Sequence, residues 1–264
     1  MPNTPIASKP SQQLLTRIAA SLDVPTAALP LLPELFAHLD ALGTSPKRVA
    51  RWFQSAGVNE SHHLIDMGCG KGASAIAVAR ACGCRITGVD AFAPFIQSAV
   101  AAATAAHVAD CCNFITQDIH TCRPRQRFSA GMMLSLLPAL EGIAFMRKLI
   151  TPGGLLIIDD AVRTPREPPA DDLPQSLKDL CEAITSQGDR VLRTHTMTPR
   201  EVRALDANLY TRIARQARTI AARHPRSKPI LREILRRQQE ASTLLTGPIR
   251  PALLLIQLRN TSRS

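Results

Sequence analysis

The sequence predicts an α/β fold, a doubly wound and mainly parallel sheet with N-terminal helices and a helical insertion before the last strand. Three observations carry this. Short apolar runs alternate with Ala-rich or amphipathic segments between residues 63 and 159, the spacing of strand–helix–strand units whose strands lie parallel. A glycine-rich turn, Gly68-Cys69-Gly70-Lys71-Gly72, joins the first such strand to its helix. A final run, PALLLIQLR at 251–259, is apolar enough to be a buried strand, and mostly helical, basic chain precedes it.

The elements follow in order. The first eight residues read as a frayed tail, and 11–21 as a short helix with Leu14, Leu15 and Ile18 on one face. Pro33 opens PELFAHLDALG, where Leu35, Phe36, Leu39 and Leu42 predict a helix ended by Gly43. Thr44 or Ser45 caps the next helix, SPKRVARWFQSAG, with Pro46 at its first position. Strands are expected at 63–67, 85–89, 113–116, 128–134 and 154–159, with helices at 72–82, 93–107 and 141–150 between them. Residues 163–174 are Pro-rich and polar, a loop or hinge, and LPQSLKDLCEAITSQG beyond them is a helix. DRVLRTHTM reads as a strand with Val191, Arg193 and His195 on one face. A long helix runs from Pro199 to Arg223 with an apolar stripe through Val202, Leu205, Leu209, Ile213, Ala217 and Ile220, and another covers 229–245. The expected divisions are an N-terminal helical cap at 1–58, a core at 59–162, a basic insertion at 163–247 forming an acceptor-side lid, and a last strand with tail at 248–264.

The chain has 264 residues, a 45% hydrophobic content and a formal charge of +11. That apolar fraction supports a sizeable core and excludes global disorder. No apolar run approaches the ~18–20 residues of a bilayer span. The N-terminus lacks the pattern of a secretory signal, so a cytoplasmic location is expected. The charge is uneven: residues 190–264 hold 16 Lys+Arg against 4 Asp+Glu, and residues 1–189 hold 16 against 17. The seven cysteines include the pairs 82/84 and 111/112, neither spaced as C-x2-C, so no disulfide framework and no metal site is expected.

The chemistry concentrates at the first turn. Glycines there permit a tight turn and let a ligand lie against the backbone. Asp90 ends the second strand, where a carboxylate can accept both hydroxyls of a ribose; it could also simply cap the next helix. Asp118, after the third strand, can reach an adenine amino group or serve the turn. Gly68, Gly70 and Ala73 also satisfy the dinucleotide pattern, which seats a pyrophosphate at a helix N-terminus. Asp66, two residues before the first glycine, would repel a pyrophosphate and suits a cationic ligand.

LIDMGCGKG, TGVDAFAPFI, QDI and LITPGGLLIIDD together resemble the Rossmann-like, class I S-adenosylmethionine-dependent methyltransferases of the small-molecule type, over about residues 35–160. The resemblance implies roles for matching positions. Asp66 and the loop Gly68, Cys69, Gly70 and Gly72 would hold the methionine end. Asp90 would hold the ribose, and Ala91 and Phe95 would flank the adenine. Asp118 and Ile119 would bind the adenine edge, and Leu134 and Ser135 would lie under the sulfonium. Phe128-Ser129 stands where the family often has Phe-Asp, at a position remote from the methyl.

Methyl transfer is an in-line displacement in which the enzyme chiefly supplies proximity and alignment, with a base only where the acceptor must lose a proton. His195, Asp160 and Tyr210 are the candidate catalytic residues, with His38 and His120 as further candidate bases. Asp159-Asp160 either face the acceptor or cap the loop that follows. The expected acceptor is a small molecule, and the arginines of the insertion could favour an anionic one. An RNA- or DNA-modifying enzyme is an alternative, weakened because Tyr210 is the only aromatic after residue 160, leaving no stacking platform. A non-catalytic partner-binding module on the same fold is a third reading.

Overall fold

The computed structural model describes residues 10–41, 43–168 and 173–260. The frayed-tail expectation, Leu42 and part of the Pro-rich loop lie outside them. Among the described residues, α1 (Gln12–Ser21), α2 (Leu32–Leu35) and α3 (Pro46–Ser55) precede β1 (His63–Met67), α4 (Ala73–Cys82), β2 (Arg85–Asp90), α5 (Ala93–Ala105) and β3 (Cys112–Thr116). Next come β4 (Phe128–Met133), α6 (Ala139–Met146), β5 (Ile150–Arg163), α7 (Leu177–Ser186) and β6 (Arg190–Thr196). Helices α8 (Pro199–Arg223) and α9 (Lys228–Thr246) lead into β7 (Ile249–Gln257). The sheet order is β3-β2-β1-β4-β5-β7-β6, with β7 antiparallel to both neighbours and the other pairings parallel. This is the mainly parallel, doubly wound α/β architecture that the alternation predicts.

Strand register decides which residues meet. Asp66 pairs with Gly88 and with Met132, and Met132 pairs with Ile157. Asp159 pairs with Leu253, and Leu253 with His195. Register partners share a face, as do residues two apart, so Asp66, Asp90, Asp159 and His195 stand on one face at one end of the sheet. Deeper on that face, Leu64, Met132 and Ile157 pack beneath α3 and α4 through Val49, Phe53, Ala75 and Val78. The opposite face carries Ile65, Met133 and Ile158 against Ile143 and Met146 of α6 and Leu180 and Ile184 of α7.

A third apolar cluster lies above the carboxyl ends of the strands. It joins Ile18 of α1 and Leu32 and Leu35 of α2 to Phe92 and Phe95, and to Leu209, Ile213 and Ile220 of α8 and Leu231 and Ile234 of α9. The chain's beginning and the α8–α9 excursion between β6 and β7 are therefore packed into one cap.

Three local expectations are corrected. The helix expected over 33–43 stops at Leu35, because Lys71 Nζ donates to the carbonyls of Phe36 and Leu39 at 2.7 and 2.8 Å and draws this stretch toward the glycine turn. Ser45 occupies the cap position of α3 without a side-chain capping bond, and the Thr44 hydroxyl goes to Asp159 instead. In β6 the register slips between Val191 and Arg193, which pair with successive residues Ile256 and Leu255. This bulge turns Val191 to the face opposite Arg193 and His195.

Candidate functional site

Two adjoining cavities of about 480 and 380 Å³ open at the carboxyl ends of β1, β2 and β4 and share Gly68, Asp90, Phe95 and Leu136. Open α/β sheets bind ligands at this place. Asp66, Gly68, Cys69, Gly70, Asp90, Phe95, Leu134 and Ser135 border the first cavity; Ala91, Asp118 and Ile119, with Gly68, Asp90 and Phe95, border the second. Gly72 borders neither: a Cβ there would lie 2.8 Å from the Phe114 ring and 3.0 Å from Ala99, so this glycine serves helix–strand packing.

The turn is held from within. Gly68 and Gly70 take positive φ values of 77° and 53°, a region that favours glycine. Asp90 Oδ2 accepts from Gly70 N at 2.8 Å and Oδ1 from Phe92 N at 2.8 Å, tying the loops after β1 and β2 together. Burial raises its pKa and these two N–H groups oppose the rise. A Cβ on Gly70 would meet nothing within 4 Å, so the loop presents bare backbone to open space.

Asp66 is 2% exposed and borders the first cavity, yet no described residue donates a hydrogen bond to its carboxylate. Burial, and then the charge of Asp90, push its pKa up to about 8. Neighbouring Cys69 is likewise held well above the usual thiol range by burial, with Asp66 and Asp90 adding to it. An unpartnered buried carboxylate is a receptor for a cationic group. The ammonium of a methionine moiety, lying over bare glycine backbone, fits this donor set.

The second cavity is closed by α1. Arg17 forms an ion pair with Asp118, whose other oxygen accepts from His120 N at 3.0 Å. His120 borders this cavity beside Asp118.

At the far end of the first cavity, Ser135 has a φ of 54°, strained for a residue with a side chain. Asp159, 8% exposed, holds it: Oδ1 accepts from Ser135 N at 2.5 Å and Oδ2 from Ser135 Oγ at 3.1 Å. The Thr44 hydroxyl donates to the same carboxylate. Burial raises the Asp159 pKa against these three donors.

The candidate catalytic residues separate. Asp160 accepts from Ala139 N at 2.7 Å and caps α6 on the opposite face, so it is remote from the cavities; strand parity is the cause. The Tyr210 hydroxyl meets Gln239 Nε2 at 3.1 Å between α8 and α9 and borders neither cavity. His195 borders a separate space of about 420 Å³ that touches the first cavity's wall at Ala41, Gly43 and Thr44. Its Nε2 lies 3.2 Å from Glu201 Oε1 but off the line of a hydrogen bond, and is otherwise unpartnered. Glu201 is pulled down to about 2, first by the Thr198 N–H of its capping box and also by Arg48 at 3.0 Å. His38 sits on an outer cleft with Arg212 and Arg215.

The arginines of α8 do not reach the cavities. Arg200, Arg203, Arg212, Arg215 and Arg218 are exposed, and α8 and α9 present Leu209, Ile213, Gln238 and Ala241 to the first cavity. Sequence reasoning gave none of these four a place at the site, nor Asp40, Thr44, Lys71 and Leu136. Only Lys71, inside the glycine turn, had a signal in the sequence; the rest come from segments brought over the sheet by tertiary packing.

Residues 64–154 match the family described as the methyltransferase domain. No curated protein matches the chain by sequence. Among solved structures, an S-adenosylmethionine-dependent methyltransferase from Thiobacillus denitrificans in complex with S-adenosylhomocysteine is similar with a TM-score of 0.74 and 14% identity, covering 87% of this chain and 98% of that one. A corresponding enzyme and complex from Geobacter sulfurreducens gives 0.73 and 17%, covering 90% and 100%. The cyclase SpnF gives 0.68 and 17%, covering 95% and 98%. Residues 64–154 thus match the methyltransferase-domain family, and the chain shares its Rossmann-like fold with these S-adenosylmethionine-dependent methyltransferase structures.

Proposed function

We propose that the protein transfers a methyl group from S-adenosylmethionine to a small-molecule acceptor. The observation that carries this is the unpartnered, buried Asp66 beside bare glycine backbone, at the head of a cleft whose next carboxylate is Asp90. Asp66 receives the ammonium of the methionine moiety, and the N–H groups of the glycine loop receive its carboxylate. Asp90 receives the ribose hydroxyls. Phe95 and Ala91 flank the adenine, and Ile119 and Asp118 border its edge. Leu134 and Ser135 lie under the reacting end, Ser135 being fixed there by Asp159.

When bound, the cofactor supplies a methyl group activated by a positively charged sulfur. The cap of α1, α2, α8 and α9 excludes water and aligns the acceptor, which is the main task of the protein in such a displacement. The outward-facing arginines of α8, and a reacting end enclosed by that cap, favour a small acceptor over a polynucleotide.

Calorimetric titration with S-adenosylhomocysteine tests the reading. One-site binding is expected, weakened roughly 100-fold or more in Asp90→Ala, since hydrogen bonds to a charged group contribute ~1.5–3 kcal/mol each. Binding of a nicotinamide dinucleotide and not of S-adenosylhomocysteine would contradict it.

A further inference from the structure

The first cavity extends past the glycine turn and the carboxylates of β1 and β2, and that part of its lining has a definite character. Its wall away from the glycine loop is built by Phe36, Ala41, Leu209, Ile213 and Ala241, with Gln238 among them. The charged residues bordering it are Asp23, Asp40, Asp66, Asp90 and Lys71. The single cation, Lys71, donates to the carbonyl oxygens of Phe36 and Leu39, and its charge acts on Asp40 without forming an ion pair with it. Arg237 neutralises Asp23 from outside at 3.3 Å, and Asp90 is held by two backbone N–H groups. Asp40 stands exposed at the mouth, and no described residue bonds its carboxylate. An anion entering here meets four carboxylates and one ammonium that backbone carbonyls already hold; a cation with an apolar body meets the more favourable balance.

Resting on the methyltransferase reading above, we propose that the acceptor is an amine with an apolar body, drawn in as its ammonium form by Asp40 and methylated on nitrogen. The ammonium gives its proton to water at the mouth beside Asp40. The neutral nitrogen's lone pair then forms the nitrogen–carbon bond as the carbon–sulfur bond opens, the bonding pair staying on sulfur. A sulfonium and a neutral amine thus become a neutral thioether and a methylated ammonium. The arginines of α8, exposed and off the cavity, take no part. An anionic acceptor, one of the options that the basic insertion leaves open, is disfavoured because that charge faces away from the site.

The test measures binding of two probes of matched shape, 2-phenylethylamine and 3-phenylpropanoate, to the full chain saturated with S-adenosylhomocysteine. The amine is expected to bind at least about tenfold more tightly than the carboxylate, because like charges facing one another are costly. Asp40→Asn should weaken the amine about three- to fivefold, the scale of an exposed ion pair, and leave S-adenosylhomocysteine affinity unchanged. Arg212→Ala should change neither probe. Equal or tighter binding of the carboxylate, no measurable binding of either probe, or indifference of the amine to Asp40→Asn overturns the inference while the methyltransferase reading stands. Failure of S-adenosylhomocysteine to bind at all strikes that reading instead.

Discussion

Asp66 concentrates the account at the scale of one residue. Its carboxyl is buried without a hydrogen bond, and burial raises its pKa to about 8. In the unfolded chain it ionises near the ordinary value of 3.8. Between those two pH values the folded state holds a proton that the unfolded state has lost, so stability falls as pH rises through this window. A bound ammonium reverses the preference and drives the proton off. S-adenosylhomocysteine binding at pH 7 is therefore expected to release close to one proton, read as a dependence of the binding enthalpy on buffer ionisation enthalpy. Asp66→Asn should abolish that dependence; wild-type binding with no proton release would refute the assignment. Asp66 was legible in the sequence because its spacing from Gly68 is local. The division of labour between Asp159 and Asp160 was not, because adjacent strand residues face opposite ways and only register fixes which faces the cavity.

At the scale of elements, strand and helix periodicity located the sheet and its helices, and misjudged the places where one side chain overrides the pattern. Lys71 stops the helix after Leu35 by taking the carbonyl oxygens of Phe36 and Leu39. The bulge at Leu192 reverses the face of Arg190 and Val191 in a strand whose alternation looked regular. Lys71→Met should lower folding stability by ~1–3 kcal/mol, the cost of leaving such carbonyls without their charged donor, measured by denaturant unfolding. Gly88 carries a comparable constraint invisible in the sequence: a Cβ there would lie 2.6 Å from Phe114 and 3.0 Å from Cys69. Gly88→Ala is expected to cost ~1–3 kcal/mol through overpacking and to weaken cofactor binding, because Cys69 belongs to the turn. A fully stable variant would show that the strand relaxes freely.

For the whole molecule, the charge of +11 changes meaning. Part of the excess at the chain's end acts inside the fold. Arg223 of α8 pairs with Glu34 of α2, Arg237 of α9 with Asp23, and Arg212 donates to the His38 carbonyl at 2.8 Å, so basic side chains of α8 and α9 fasten them to the N-terminal segment. The rest lies on the outer surface. That α8 and α9 share one apolar cluster with residues 18–39 was not legible, since the contacts join segments nearly the whole chain apart, and α7 and β6 of the same expected insertion pack with the sheet instead. Ile220→Ala, at a fully buried position of this cluster, should cost ~2–4 kcal/mol by thermal or denaturant unfolding. A loss confined to a few tenths would mean that the cap is not one packed unit.

The central claim is that the cleft above β1 and β2 receives S-adenosylmethionine, and a crystal structure with S-adenosylhomocysteine tests it most directly. The account predicts the ammonium on Asp66, the ribose hydroxyls on Asp90, the adenine between Ala91 and Phe95 with its edge at Asp118 and Ile119, and the sulfur facing the chamber bounded by Ser135, Leu209 and Ile213. A ligand seated elsewhere, or one leaving Asp66 without a cationic partner, would contradict it.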